Sequence, residues 1–244
     1  MILTLHNVKG INCSGLPIHG AMANIIMESG IEKNIIIIGD SGAGKSETLE
    51  VLRTLENNGI KDINVVFDDM GIIFNDLKAY GTEIGAFVRL DDLDTGYAYK
   101  EIDRSVFMNP DKTNARITIP ISTYEIISKG HSIDMILYAN NYESSDSKIE
   151  YFTDIDDAIT TFKQGRRMAK GTTTESGLVD SYFANPFGPY QKQEQTNILI
   201  DTYFKIFFNK NIKLGQIKTM LGVNGYETKG PKNAALHLLK ELSR

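Results

Sequence analysis

Asn34-Ile35-Ile36-Ile37-Ile38-Gly39-Asp40-Ser41-Gly42-Ala43-Gly44-Lys45-Ser46-Glu47 reads as a buried strand joined to a helix through a phosphate-binding loop, and it spells G-x-x-x-x-G-K-S without a gap. Four consecutive β-branched isoleucines suit a strand covered on both faces. Gly39, Gly42 and Gly44 let the backbone turn with its N–H groups inward, so Gly39 and the run Ser41-Gly42-Ala43-Gly44-Lys45-Ser46-Glu47 are the candidate nucleotide contacts. Lys45 is placed to reach β- and γ-phosphates, the Ser46 hydroxyl to ligate Mg²⁺, and the helix N-terminus to add its positive dipole end. Leu49, Leu52 and Leu55 recur on one face of that helix, and Asn57-Asn58-Gly59 supplies a stop. A chance glycine turn would explain the glycines but not strand, loop, Lys-Ser and helix in register.

The 244 residues can bury a substantial core, and 41% hydrophobic with 23% charged residues is the balance of a globular chain. A net charge of −5 without a dense basic stripe argues against nucleic acid as the main partner. The apolar runs are far too short for a bilayer span, so no membrane partner is expected. Met1-Ile2-Leu3-Thr4 does not open a signal peptide, and the single cysteine, Cys13, suits a reducing, cytoplasmic location. No composition break or internal repeat divides residues 1–244, which read as one domain open to self-association.

Residues 1–18 read as one or two edge strands feeding the core. His19, beside Gly20, could on spacing alone be a satisfied core histidine. After the loop helix, Ile63-Asn64-Val65-Val66-Phe67 is a second buried strand that should end in Asp68-Asp69. An acidic pair there is placed to hold Mg²⁺ and to take a proton, where a solvated turn is the plain alternative. Further strands are expected at 71–74, 85–90, 114–121 and 134–139, and residues 95–100 lead into another. Asp91, Asp92 and Asp94 lack the ligand set of a calcium loop.

Asp154 should cap a helix over Ile155, Ile159 and Phe162 that stops at Gly165. Arg166, Arg167 and Lys170 precede the hydroxyl-rich stretch Gly171-Thr172-Thr173-Thr174-Glu175-Ser176-Gly177, either a phosphate clamp or a solvated basic face. Residues 193–208 read as an amphipathic helix with Ile198, Leu199, Phe204, Ile206 and Phe207 inward. Pro231 should open the last helix, with Leu236, Leu238, Leu239 and Leu242 inward.

Taken together, His19-Gly20, Gly39 through Thr48 and Val66-Phe67-Asp68-Asp69 resemble the bacterial HPr kinase/phosphorylase pattern: a His-Gly, a G-(D/E)-S-G-x-G-K-S-E-T loop and a strand ending in Asp-Asp, in this order. Later segments are similar to the nucleotide-binding lobe of ATP-dependent phosphoenolpyruvate carboxykinase, from the same superfamily. Thr95-Gly96-Tyr97-Ala98-Tyr99-Lys100 is similar to its G-G-C-Y-A-K, residues 114–121 to its N-T-R-x-x-Y-P-I, and Asn185-Pro186-Phe187 to its G-A-P-F. The residues before His19 are not expected to supply a counterpart of the carboxykinase's N-terminal substrate domain, and Asn140-Asn141-Tyr142-Glu143 replaces its F-G-x-L-P-P.

The resemblance implies an α/β, carboxykinase-like P-loop fold: a mixed β-sheet with flanking helices and a helical C-terminal part. It implies ATP or GTP with Mg²⁺ or Mn²⁺ as cofactors. Lys45 and the loop would hold phosphates, and Ser46 and one of Asp68 and Asp69 the metal. The other aspartate would act as base, with His19 tuning it or binding a second metal. Arg116 would bridge the transferring phosphate, with Lys100, Arg166 and Arg167 as further ribose or phosphate contacts. The expected function is an ATP-dependent kinase whose acceptor is a seryl protein or peptide or a small hydroxylated molecule. Alternatives are a minimal carboxykinase-like enzyme and a nucleotide-binding regulator without catalysis.

Overall fold

Ile35, Ile36, Ile37 and Ile38 are wholly buried in strand β2 (Glu32–Ile38), and their side chains alternate between two apolar cores. A computed structural model describes residues 2–55, 59–89, 116–143, 149–169 and 175–243, except the side chains of 2, 87–89 and 116–117. Around β2 lie β1 (Leu16–Met27), β3 (Ile60–Ile73), β4 (Ala79–Gly81), β7 (Met135–Asn140), β8 (Ile149–Tyr151) and β11 (Lys213–Lys218). Among the described residues these strands form one mixed sheet in the order β4-β3-β1-β2-β7-β11-β8. β2, β7 and β11 are mutually parallel. Since β1 is antiparallel to both β2 and β3, β3 runs their way too. Two pairs stand apart from this sheet: β5 (Gly85–Arg89) with β6 (Arg116–Pro120), and β9 (Arg166–Met168) with β10 (Leu178–Asp180).

Helices cover both faces. α2 (Lys45–Thr54) and α7 (Lys229–Leu242) bury Leu49, Leu52, Ala235 and Leu238 against Ile35 and Ile37. α4 (Ile155–Gln164) and α6 (Gln193–Asn209) bury Phe162, Phe204 and Phe207 against Ile36 and Ile38. Asp154 caps α4 by accepting from the amides of Asp156 and Asp157, and Gly165 ends it in the left-handed region, as the sequence predicts. Two short helices, α3 (Tyr124–Ser128) and α5 (Gly188–Gln191), lie between the longer elements. No helix among the described residues is long and apolar enough to cross a membrane.

Several expectations are corrected. The N-terminal stretch is not edge strand but helix α1 (Ile2–Asn12), because its inward positions, Asn7, Gly10 and Ile11, follow a helical rather than a two-residue period. β3 does not end at Asp68-Asp69. It runs on to Ile73, because β1 offers a partner along its whole length and a bulge at Val66 restores the register. α6 turns Thr196, Ile200, Tyr203, Phe204 and Phe207 inward and leaves Ile198 67% exposed. α7 starts two residues before Pro231 and exposes Leu236.

Candidate functional site

Strand register brings the candidate residues together before any side chain is considered. Gly20 of β1 pairs with Ile38, the last residue of β2, and on its other side with Asp69 of β3. The acidic pair and His19 are thereby level with the start of the glycine-rich loop. Only glycine fits at position 20, since a Cβ there would lie 2.5 Å from the Ile37 carbonyl oxygen.

The loop enters α2 through Gly44, whose φ of 90° is the left-handed conformation that a side chain disfavours. Lys45 is buried, and its ammonium donates to the Asp40 carbonyl at 3.2 Å, inside the loop's own turn. Ser46 donates to Asp68 Oδ1 at 2.7 Å. Glu47 occupies the exposed first turn of α2. Burial pushes the Asp68 carboxyl up. The Ser46 hydroxyl and Lys45 pull it back only in part, and Asp69 adds to the rise.

His19 is buried between three oxygens. Nδ1 lies 2.6 Å from the Ala184 carbonyl and 3.7 Å from Asp40 Oδ1, while Nε2 lies 3.2 Å from Asp69 Oδ1. A carbonyl can only accept, so Nδ1 carries a proton. A hydrogen bond on the other side then requires a second proton on either Nε2 or Asp69. The Ala184 carbonyl is presented by a tight turn in which Phe183 and Ala184 have φ of 47° and 48°, a strain of order 1 kcal/mol each.

Asp40, the second residue of the loop, is the hub of the site. Ser181 Oγ donates to its Oδ2 at 2.6 Å and Arg167 Nε at 3.2 Å. Burial alone would raise this carboxyl. His19, the Ser181 hydroxyl, the Ser41 amide and Arg167 outweigh it and hold Asp40 below the usual carboxylate range. Arg167 is 3% exposed and also binds Glu175 at 2.6 Å, and its Nη1 is buried without a hydrogen-bond partner among the described residues. Arg166 faces the other way along β9 and pairs at the surface with Asp180, so the two arginines do not form one basic cluster. A scan against protein-family models finds no match, and no curated protein matches the chain.

Glu83 stands beside the acidic pair. Its Oε1 accepts the Met70 amide at 2.9 Å, and its Oε2 meets the Thr82 hydroxyl. That hydroxyl also donates to the Met70 carbonyl at 3.0 Å, and its single hydrogen cannot serve both. A protonated Glu83 donating to Thr82 resolves the conflict. Burial, with Asp69 and Asp68 nearby, pushes the carboxyl up to about 7.

The structure therefore groups His19, Asp68, Asp69, Lys45, Ser46 and Arg167, adds the Asp40 side chain, and separates Arg166. Arg116 opens β6 opposite Arg89, and its side chain lies outside the described residues, as do Lys100, Lys170, residues 171–174, the 95–100 stretch with the strand expected after it, and the Asp91-Asp92-Asp94 turn. Sequence reasoning missed Ser181, Glu83, Asn141 and Thr219. Only Asn141 carries a signal, as an amide just past the end of an apolar strand on the loop's side of the sheet.

Proposed function

We propose that the chain is an ATP-dependent phosphotransferase with the carboxykinase-like P-loop fold shared by HPr kinase, moving a γ-phosphoryl group to a hydroxyl acceptor. The observation that carries this reading is the 2.7 Å contact of Ser46 with Asp68, beside a buried Lys45 and with the His19–Asp69 pair in the adjoining register. Among the described residues no three His, Cys, Asp or Glu side chains gather as a metal cage. One hydroxyl and one carboxylate fit Mg²⁺, which takes its other ligands from phosphates and water. Ser46 and Asp68 would hold the ion, which supplies charge neutralisation on the phosphates when bound.

The chain's own residues would do the rest. Lys45 exchanges the Asp40 carbonyl for phosphate oxygens, and the loop amides orient them. Asp69 takes the acceptor's hydroxyl proton as the acceptor oxygen bonds to the γ-phosphorus, and the bond from phosphorus to the ADP oxygen breaks. His19, fixed by the Ala184 carbonyl, orients the Asp69 carboxylate. Incubation with Mg²⁺, γ-labelled ATP or GTP and a cell extract as acceptor tests this. Label transferred to a seryl protein or a small hydroxyl compound is the expected result, and calorimetry showing no binding of either nucleotide would sink it.

A further inference from the structure

A loop whose amides face a ligand must turn carbonyls the other way, into the protein. Ala43 is fully buried, and its carbonyl would be desolvated without a donor. Thr219, the residue after β11, donates its hydroxyl to that carbonyl at 2.6 Å. Asn141, the residue after β7, donates Nδ2 to the Gly42 carbonyl at 2.8 Å. The Ala43 amide closes a turn on the Asp40 carbonyl at 3.0 Å, so the peptide unit between Gly42 and Ala43 is held on both sides. A planar trans peptide points its N–H opposite to its C=O, so fixing the Ala43 carbonyl on Thr219 aims the Gly44 amide away from Thr219. The fit is close, since a Cβ on Gly44 would come within 2.7 Å of Thr219.

Asn141 does more than hold the loop. It is wholly buried, and the same amide donates to the Met168 carbonyl at 3.0 Å and accepts the Met168 amide at 2.8 Å. Met168 follows Arg167, whose guanidinium binds Asp40 in the loop. One side chain therefore registers both the loop and the strand that carries the buried arginine.

We propose that Asn141 and Thr219 are positioning residues of the phosphate loop: they fix its peptide planes before an anion arrives and so set the affinity for a triphosphate, a proposal that rests on the nucleotide reading above. The test is calorimetry of MgATP and magnesium tripolyphosphate with wild type, Thr219→Val, Thr219→Ser and Asn141→Asp, each checked for folding by circular dichroism. Valine matches threonine in shape but has no donor, while serine keeps the hydroxyl. Aspartate sets an acceptor against the Gly42 and Met168 carbonyls. Thr219→Val and Asn141→Asp should each weaken both ligands by about tenfold and to the same degree, the loss expected from one misplaced buried hydrogen bond. Thr219→Ser should stay within about twofold of wild type, a rescue that mere loss of packing would not give. If Thr219→Val does not fold, Asn141→Asp decides alone. Variants that bind both ligands like wild type, or a serine variant as weak as valine, overturn the proposal. A wild-type protein that binds neither ligand overturns the nucleotide reading itself, and this proposal with it.

Discussion

Glu83 sits where a third negative charge would adjoin Asp68 and Asp69, and its replacement by Gln isolates the effect of that charge. The amide oxygen of Gln can accept the Met70 N–H, and its nitrogen can donate to Thr82 as the protonated carboxyl does. The folded chain holds the Glu83 proton more tightly than the unfolded chain, because burial and the two aspartates raise the carboxyl from 4.5 to about 7. The resulting stabilisation is complete below pH 4.5 and is lost as the pH climbs through about 7. That interval of about 2.5 pH units is worth on the order of 3 kcal/mol, at about 1.4 kcal/mol per unit. Gln cannot ionise. Glu83→Gln should therefore match wild type near pH 4.5 and exceed it at pH 8 by up to about 3 kcal/mol, or about 6–12 °C in Tm for a chain of this size. Thermal melts of both proteins from pH 4.5 to 8.5 read the difference. A Tm gap that stays flat across this range, or a wild type that is the more stable protein at pH 8, would refute the reasoning.

Lys45→Ala should weaken MgATP binding by at least about tenfold, because its buried ammonium is the loop's own cation; calorimetry giving an unchanged Kd would count against the site. Asp68→Asn and Asp69→Asn should each lower turnover by about 100-fold or more while at least one still binds nucleotide, and wild-type turnover in both would reduce the pair to structure. Asp40→Asn leaves the Arg167 guanidinium buried without its loop carboxylate and should cost about 3 kcal/mol near pH 7. Because the Asp40 carboxyl is held below its ordinary value, the wild-type advantage should shrink as the pH falls through 3.8 and below, which acid-range denaturant titrations would show. An advantage that persists undiminished at pH 2.5 would mean that the Asp40 charge contributes nothing.

The strand, glycine-rich loop and helix around Lys45 were legible because everything that defines them is local: four isoleucines, three glycines, Lys45 and Ser46 lie within twelve residues of chain. The Asp154 cap and the Gly165 stop were legible for the same reason. Asp68-Asp69 was read correctly as an acidic pair and wrongly as a strand end. Aspartate is a poor strand former in isolation, but Gly20 and Ala21 of β1 already offer a ladder there, and tertiary pairing overrides propensity. Ile198 and Leu236 show the converse limit: each helix was right, but counting leucines and isoleucines does not fix the phase of a helix whose inward face includes Thr196 or Ala235. The remainder of the site depends on distance along the chain. Asn141, Arg167, Ser181 and Thr219 reach the loop across 99, 127, 141 and 176 residues, each through one hydrogen bond of a kind many polar residues could make. Nothing in their immediate neighbours marks out Ser181 or Thr219, Asn141 is marked only by following an apolar strand, and Arg167 is legible as a basic candidate but not as the partner of Asp40. Asn141 and Thr219 become identifiable only once β7 and β11 are known to lie beside β2 in parallel, since parallel strands must all end on the loop's side of the sheet and the polar residues that follow them can meet its inward-facing carbonyls.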